Sequence, residues 1–290
     1  MKNCKGAEND FIRAAFSEIL FCIAILLFSL GMVKLCEAEG RAVNAFGDSI
    51  TAGFGASDNA HSYANIVASS KNWTFTNQAI SGSETAGIAY KIFGTPVTSG
   101  NISFYLPGYN DMRHHGATEQ AMDEYEKKVM NFASWLTTTN KFLGQDTTNI
   151  SYTGTWNNVT IYSGVTNLTR YSNTQNNTAQ ATVNGKTIFI GYTALTTGSG
   201  GSFSVMVDGM AYGNFTSYGA LDDFWGLGYA PFVIRISDLS DGPHSVLITV
   251  TSETDTSNKV YIDWIGGSMD SSQRTRPALY LGNTLRMNAE

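Results

Sequence analysis

The chain has 290 residues, of which 42% are apolar and only 14% charged. That suits one large or two ordinary domains with a sizeable core under a polar, largely uncharged surface rich in Ser, Thr, Asn and Gly. A formal net charge of −6 argues against nucleic acid as a partner but leaves neutral polymers such as polysaccharides open.

Residues 1–38 read as a signal peptide or N-terminal anchor. Lys2, Lys5 and Arg13 precede an apolar run from Ile19 to Val33. A membrane span needs about 20 such residues, so the run fits a signal-peptide core better. Cys36-Glu37-Ala38 offers a cleavage site, with the mature start near Glu39. If the segment stays uncleaved, it is the only expected membrane contact. The implied location is secreted, periplasmic or cell-surface. The three cysteines, Cys4, Cys22 and Cys36, all fall in this leader, so no disulfide framework and no cysteine metal site is expected beyond it.

From Arg41 to about Phe142 strands and helices alternate. Ala42–Phe46 is a short apolar strand ending at Gly47. Ser62–Ser69 predicts a helix with Tyr63, Ile66 and Val67 inward. Trp73–Thr76 alternates as a strand, Ser83–Phe93 reads as helical, and Ile102–Leu106 is a third strand ending at Pro107-Gly108. Thr118–Thr138 is the clearest helix. Its Met122, Tyr125, Val129, Phe132 and Leu136 recur at helical spacing, with Glu124, Glu126, Lys127 and Lys128 on the opposite face. This alternation implies a parallel sheet covered by helices.

The first part of that domain is expected over 39–144. From 145 to 271 helical periodicity gives way to short β-prone runs such as Phe203–Val207 and Ser245–Val250, with turns at Asn184-Gly185, Asp208-Gly209 and Asp241-Gly242. This predicts an antiparallel, jelly-roll-like β-sandwich. Ala278–Asn283 is again a continuous apolar strand, so 272–290 is expected to return to the parallel sheet and the sandwich to be an insertion.

Gly47-Asp48-Ser49-Ile50-Thr51 follows the first strand directly. A serine on a sharp strand-to-helix turn presents its hydroxyl at the carboxyl edge of the sheet, where ligands of open α/β sheets bind. Two further glycine-bearing stretches, each after a strand, are Asn77-Gln78-Ala79-Ile80-Ser81-Gly82-Ser83 and Gly108-Tyr109-Asn110-Asp111. Together with Phe46–Ala56 (FGDSITAGFGA) these resemble, in order, the first three blocks of the SGNH/GDSL hydrolase family. The resemblance implies a three-layer α/β/α, flavodoxin-like fold and no cofactor. It also implies Ser49 as nucleophile, with Gly82 and Asn110 in the oxyanion hole. Asp48 and Asp111 are read as ordering their turns, with substrate contact as a further role.

The family draws its base and orienting carboxylate from a late Asp-x-x-His block, and no histidine follows His244. The chain is therefore expected to be catalytically incomplete, or to obtain its base from another chain. A parallel sheet lacking its last strand and helix would leave apolar surface open, so an oligomer is expected. Asp58–His61 lies too near Ser49 in sequence, and Asp241–His244 reads as a turn of the sandwich. His114 and His115, close after Asn110, are candidate substrate contacts. No cluster has metal-ligand spacing.

In the sandwich, Trp225, Tyr229, Tyr212 and Asp222 are candidate carbohydrate contacts. The expected activity is removal of acyl groups, acetyl above all, from a polysaccharide or glycoconjugate through an acyl-enzyme. The alternatives are a non-catalytic carbohydrate-binding or surface protein, and a lipid esterase.

Overall fold

The computed structural model describes residues 41–97, 101–138, 140–268 and 278–281. The expected leader with its cysteines, and the ends of the expected return segment at 272–277 and 282–290, lie outside the described residues. The elements from Ala42 onward belong to one unit. Among the described residues no helix is long and apolar enough to cross a membrane.

The first half runs β1 (Ala42–Gly47), α1 (Ser49–Ala52), α2 (Tyr63–Ser70), β2 (Thr74–Asn77), α3 (Ala89–Gly94), β3 (Ile102–Leu106), α4 (Tyr109–His115) and α5 (Glu119–Thr137). Strand β1 pairs parallel with β2 on one side and β3 on the other, with Gly47 opposite Leu106 and Ala45 opposite Asn77. Alternation in β1 and β3 divides the core. Val43, Ala45, Ile102 and Phe104 pack with Ala64 of α2. Phe46 and Tyr105 join Ile92 and Phe93 of α3 and Phe132 of α5 in a second cluster.

Three readings of these helices are corrected. Helix α2 turns Ala64 and Ala68 inward and leaves Tyr63, Ile66 and Val67 exposed. Two alanines at i and i+4 form a flat face that lets the helix lie close against the sheet, and the bulkier side chains point out. The segment at 83–93 becomes regular α-helix only at Ala89, after a single 3₁₀ turn over Ala86–Ile88. In α5, Glu124 and Lys128 are buried rather than solvent-facing. This helix has structure on both sides: Lys128 meets Asp111, and both carboxylate oxygens of Glu124 accept from Leu221 N–H at 3.0 Å. Thr118 caps the helix, its Oγ1 accepting from Ala121 N–H at 3.2 Å.

The second half is antiparallel. It comprises β4 (Lys141–Leu143), β5 (Ile150–Thr153), β6 (Asn157–Val159), β7 (Thr169–Ser172), β8 (Thr178–Asn184), β9 (Ile188–Leu195), β10 (Ser202–Val207), β11 (Met210–Thr216), β12 (Tyr229–Ile236), β13 (Pro243–Val250) and β14 (Val260–Gly267). A five-stranded sheet runs β11-β10-β13-β8-β5, and a six-stranded one runs β12-β9-β14-β7-β6 with β4 beside β14. Strands β8, β10 and β13 alternate buried and less buried residues, and Val183, Val205 and Val246 share a core with Ile190, Tyr192 and Ile262 of the facing sheet. The last described strand, β15 (Ala278–Leu281), pairs parallel with β3, giving the order β15-β3-β1-β2.

The six-stranded sheet turns its other face to α5. Trp264 of β14 and Val233 of β12 enter the same cluster as Phe46, Phe132 and Trp135. Buried Asn131 ties the seam from both ends: its Oδ1 accepts the Trp264 indole N–H, and its amide donates to Phe232 O, each at 3.0 Å.

Beside Trp264, Asp263 occupies an irregularity in the β9–β14 register and is fully buried. Hydroxyls of Thr169 (2.7 Å), Thr193 (2.9 Å) and Tyr162 (3.1 Å) donate to it. Burial outweighs these donors and pushes its carboxyl up to about 6. The folded state then holds a proton that the unfolded chain, titrating near 3.8, releases first. Stability from this group is fully present below the unfolded value and falls as pH rises through the folded one, by about 3 kcal/mol in all. Urea unfolding of the wild type and Asp263→Asn at pH 5 and pH 7.5 is expected to show wild-type stability dropping relative to the variant at the higher pH. A difference that stays constant with pH would remove Asp263 as its source.

Candidate active site

Strands β1, β2 and β3 run the same way, so the segments that follow them emerge at one edge of the sheet. Asp48 ends the first strand as the N-cap of α1, its Oδ1 accepting Ile50 N–H at 2.9 Å, and Ser49 opens the helix half-buried. The segment after β2 stays beside it. Gln78 N–H donates to Ala45 O at 2.8 Å and Ile80 N–H to Gly47 O at 2.9 Å. Asn77 fixes α1 to this segment, donating through Nδ2 to Thr51 O at 3.2 Å.

The chain then reverses. Ser83 N–H closes on Ile80 O at 3.1 Å, and Gly82 takes φ +79°, the left-handed region that glycine enters freely. The third block is also set by a glycine. Gly108 has φ +111°, and a Cβ there would lie 2.5 Å from the Tyr125 hydroxyl. From it α4 starts with Asn110 and Asp111 both buried. Asn110 Nδ2 donates to Ser83 O at 2.9 Å, and Asp111 Oδ2 accepts from Thr85 N–H and Thr85 Oγ1, each at 2.8 Å. Lys128 Nζ reaches Asp111 Oδ1 at 3.4 Å. Ser49, Gly82 and Asn110 thus lie on three segments joined directly to one another.

Charge beneath this edge is confined. Asp48 is buried, and its Oδ2 has no hydrogen-bond partner among the described residues. Burial raises its carboxyl above the ordinary value, and the nearby Asp111 charge adds to the effect. Asp48 and Asp111 both accept backbone N–H groups from the interior, of Ile50 and Thr85. Among the described residues no group of three or more His, Cys, Asp or Glu is placed to hold a metal ion.

No family model matches the chain, and no curated protein sequence matches it. Solved structures resemble it at low identity. A two-domain esterase active on acetylated mannans, co-crystallised with mannopentaose, is 14% identical, with TM-score 0.43 over 85% of this chain and 96% of that one. A family two carbohydrate esterase from Clostridium thermocellum, in complex with cellohexaose, is also 14% identical, with TM-score 0.29 over 40% of this chain and 30% of that one. A carbohydrate-binding module, CBM36, in complex with calcium and xylotriose, is 16% identical, with TM-score 0.30 over 43% and 96%. At identities and TM-scores this low, these likenesses assign no chemistry to the chain.

The four histidines lie in three places. His61 Nδ1 lies 2.7 Å from Asp58 Oδ1 in an exposed 3₁₀ turn shortly after α1. His114 Nδ1 and His115 Nε2 lie 2.6 and 2.8 Å from the two oxygens of Glu84. His244 is buried in the sandwich, with Nδ1 2.6 Å from Asp208 Oδ2 and Nε2 2.9 Å from Ser240 O. Both His244 nitrogens are engaged within the sandwich, by the β10–β11 turn and by the segment that precedes β13.

The candidate sugar contacts separate. Residues 217–228 link β11 to β12 and cross to the Ser49 edge of the parallel sheet. Gln120 Nε2 donates to Gly219 O at 3.1 Å, and Trp225 Nε1 donates to Gly82 O at 3.3 Å. The Trp225 and Phe224 rings are nevertheless 64% and 61% exposed, which leaves faces open beside Gly82. Asp222 is exposed and accepts Gly228 N–H at 2.8 Å, and Asp223 Oδ1 accepts Trp225 N–H at 3.0 Å and Leu227 N–H at 3.1 Å, so both shape the loop. Tyr229 packs edge-on against Tyr162, ring centroids 5.2 Å apart, and burial pushes its hydroxyl up to about 12. Tyr212 lies on the edge strand β11, partly exposed.

Sequence reading missed Glu84 altogether. The available signal was a lone carboxylate immediately after the Gly82-Ser83 turn, at the head of an otherwise uncharged apolar stretch.

Proposed function

We propose that this chain is a serine ester hydrolase of the SGNH type, built on an α/β/α layer with an inserted β-sandwich, that removes acetyl groups from a polysaccharide or glycoconjugate outside the cell. The observation that carries the reading is the meeting of Ser49, Gly82 and Asn110 on three mutually bonded segments at one edge of a parallel sheet.

In this reading Ser49 Oγ attacks the ester carbonyl carbon and gives up its proton to a base. The carbonyl oxygen becomes an oxyanion, held by the Ser49 and Gly82 N–H groups and the Asn110 amide. Collapse breaks the bond to the sugar oxygen, which takes the proton from the base and leaves as a hydroxyl, and an acyl-enzyme remains. Water then repeats the addition and releases acetate. All four histidines pair with a carboxylate, as a base requires, but both ring nitrogens of His244 are engaged within the sandwich, which leaves His61 on Asp58 and His114 and His115 on Glu84 as base candidates. Acetate release from an acetylated polysaccharide is the direct test. Release by the wild type and none by Ser49→Ala supports the reading; equal release by both ends it.

The exposed Trp225 and Phe224 rings favour a sugar as the alcohol part, because flat apolar ring faces pack against aromatic faces. Trp225→Ala is expected to weaken binding of a soluble neutral polysaccharide about tenfold in affinity electrophoresis, equivalent to about 1.4 kcal/mol. Unchanged mobility would place the sugar contact elsewhere. The second reading, a carbohydrate-binding protein without turnover, is favoured by the exposed position of the Asp58–His61 pair and the Glu84 contacts of His114 and His115. Its signature is binding that depends on Trp225, with no acetate released.

A further inference from the structure

The Glu84 side chain is 0% exposed and accepts three donors. His114 Nδ1 (2.6 Å) and Phe224 N–H (3.0 Å) share Oε1, and His115 Nε2 (2.8 Å) takes Oε2. The histidines lie on α4, one turn beyond Asn110, whereas Phe224 belongs to the loop from the sandwich. The same contact is reinforced by ring stacking: the His114 and Phe224 rings lie 4.4 Å apart between centroids with planes 21° apart. A buried carboxylate carries a desolvation penalty of several kcal/mol and is tolerated where donors surround it. Here the donors come from both sides of the seam.

We propose that Glu84 is a positioning residue that latches the aromatic loop of the sandwich onto the oxyanion side of the site. The inference rests on reading this edge as the ester-hydrolysing site. Three chain segments converge on one carboxylate. Gly82, two residues before it, adds the Trp225 indole to the same junction. The Ser49 edge and the Phe224–Trp225 rings are thereby one preformed surface. Its ligand is an acylated sugar long enough to place its ester at Ser49 while a ring lies against the aromatic pair. A small ester uses only the first half of that surface.

Native-state hydrogen exchange on the wild type is the first measurement. The Phe224 amide is expected to be protected about a hundredfold or more despite its exposed side chain, as an amide bonded to a buried acceptor should be. Exchange at the rate of an open loop would overturn the latch, whether or not any variant folds. In Glu84→Gln the Phe224 amide is expected to lose about tenfold in protection, whereas Leu221, held by Glu124, keeps its own. The variant's loss of kcat/KM is expected to be about tenfold greater on an acetylated oligosaccharide than on p-nitrophenyl acetate, with that excess lying in KM whether or not Glu84 also orients a base. Equal losses on both esters with Phe224 protection unchanged would reject the proposal. If the wild type hydrolyses neither ester and Ser49 takes no covalent probe, the hydrolase reading fails on its own. The exchange data and the oligosaccharide affinity of Glu84→Gln then still decide whether the latch exists.

Discussion

A fluorophosphonate probe is expected to form a single adduct on Ser49, mapped by peptide mass spectrometry and absent in Ser49→Ala. The expectation follows from placement. Ser49 opens α1 directly after Asp48 at the end of β1, half-buried, with the Gly82 turn fastened beside it through Ile80 N–H and Gly47 O. A serine in an ordinary loop does not react with such probes, because its hydroxyl lacks both a base and a donor set for the phosphoryl oxygen. In Ser49→Ala the rate of ester hydrolysis is expected to fall by about 10⁴-fold or more. His61→Ala, His114→Ala and His115→Ala then identify the base, since the adduct should vanish in only one of them. A folded wild-type protein that takes no adduct would remove the acyl-enzyme and leave carbohydrate binding as the activity to pursue.

Asn110→Ala is expected to lower kcat by about 10²- to 10³-fold, the effect of deleting one oxyanion donor. It should also destabilise the fold by about 1–3 kcal/mol, because it leaves Ser83 O without the buried amide that donates to it. The two effects separate in one experiment: the stability loss appears in urea unfolding without substrate, and the rate loss persists at temperatures where the variant is fully folded. Asn110→Asp is the sharper comparison. It preserves shape but presents a carboxylate to a carbonyl oxygen and to a developing negative charge, so its rate should fall at least as far. A rate loss confined to conditions of partial unfolding would show Asn110 to be structural alone.

The two central strands were legible because their evidence is local. Ala42–Gly47 and Ile102–Leu106 are short apolar runs closed by glycine or proline, and both form as read. The turns that carry Gly82 and Gly108 were legible for the same reason, since glycine is the residue that enters a positive φ most freely. What failed was the direction of faces. Glu124 and Lys128 follow the polar rule on a helical wheel, but the loop at Leu221 and the carboxylate of Asp111 lie against them, so charge is buried by partners distant in sequence. Ala64 and Ala68 carry too little apolar surface to outweigh Ile66 and Val67 in a periodicity count, yet their small size is what the sheet contact uses. Glu84 could not be read because its third partner, Phe224, stands 140 positions away.

The seam through Asn131 and Trp264 bears on how this protein can change. A sugar-recognising module joined by a flexible tether can be exchanged without disturbing the enzyme it serves. Here Val233 and Trp264 of the sandwich are packed among Phe46, Phe132 and Trp135, so excising the sandwich would open the interior beneath β1. Change in what the protein recognises is thereby channelled into the exposed tip around Phe224 and Trp225, where side chains can vary while the shared interior stays closed.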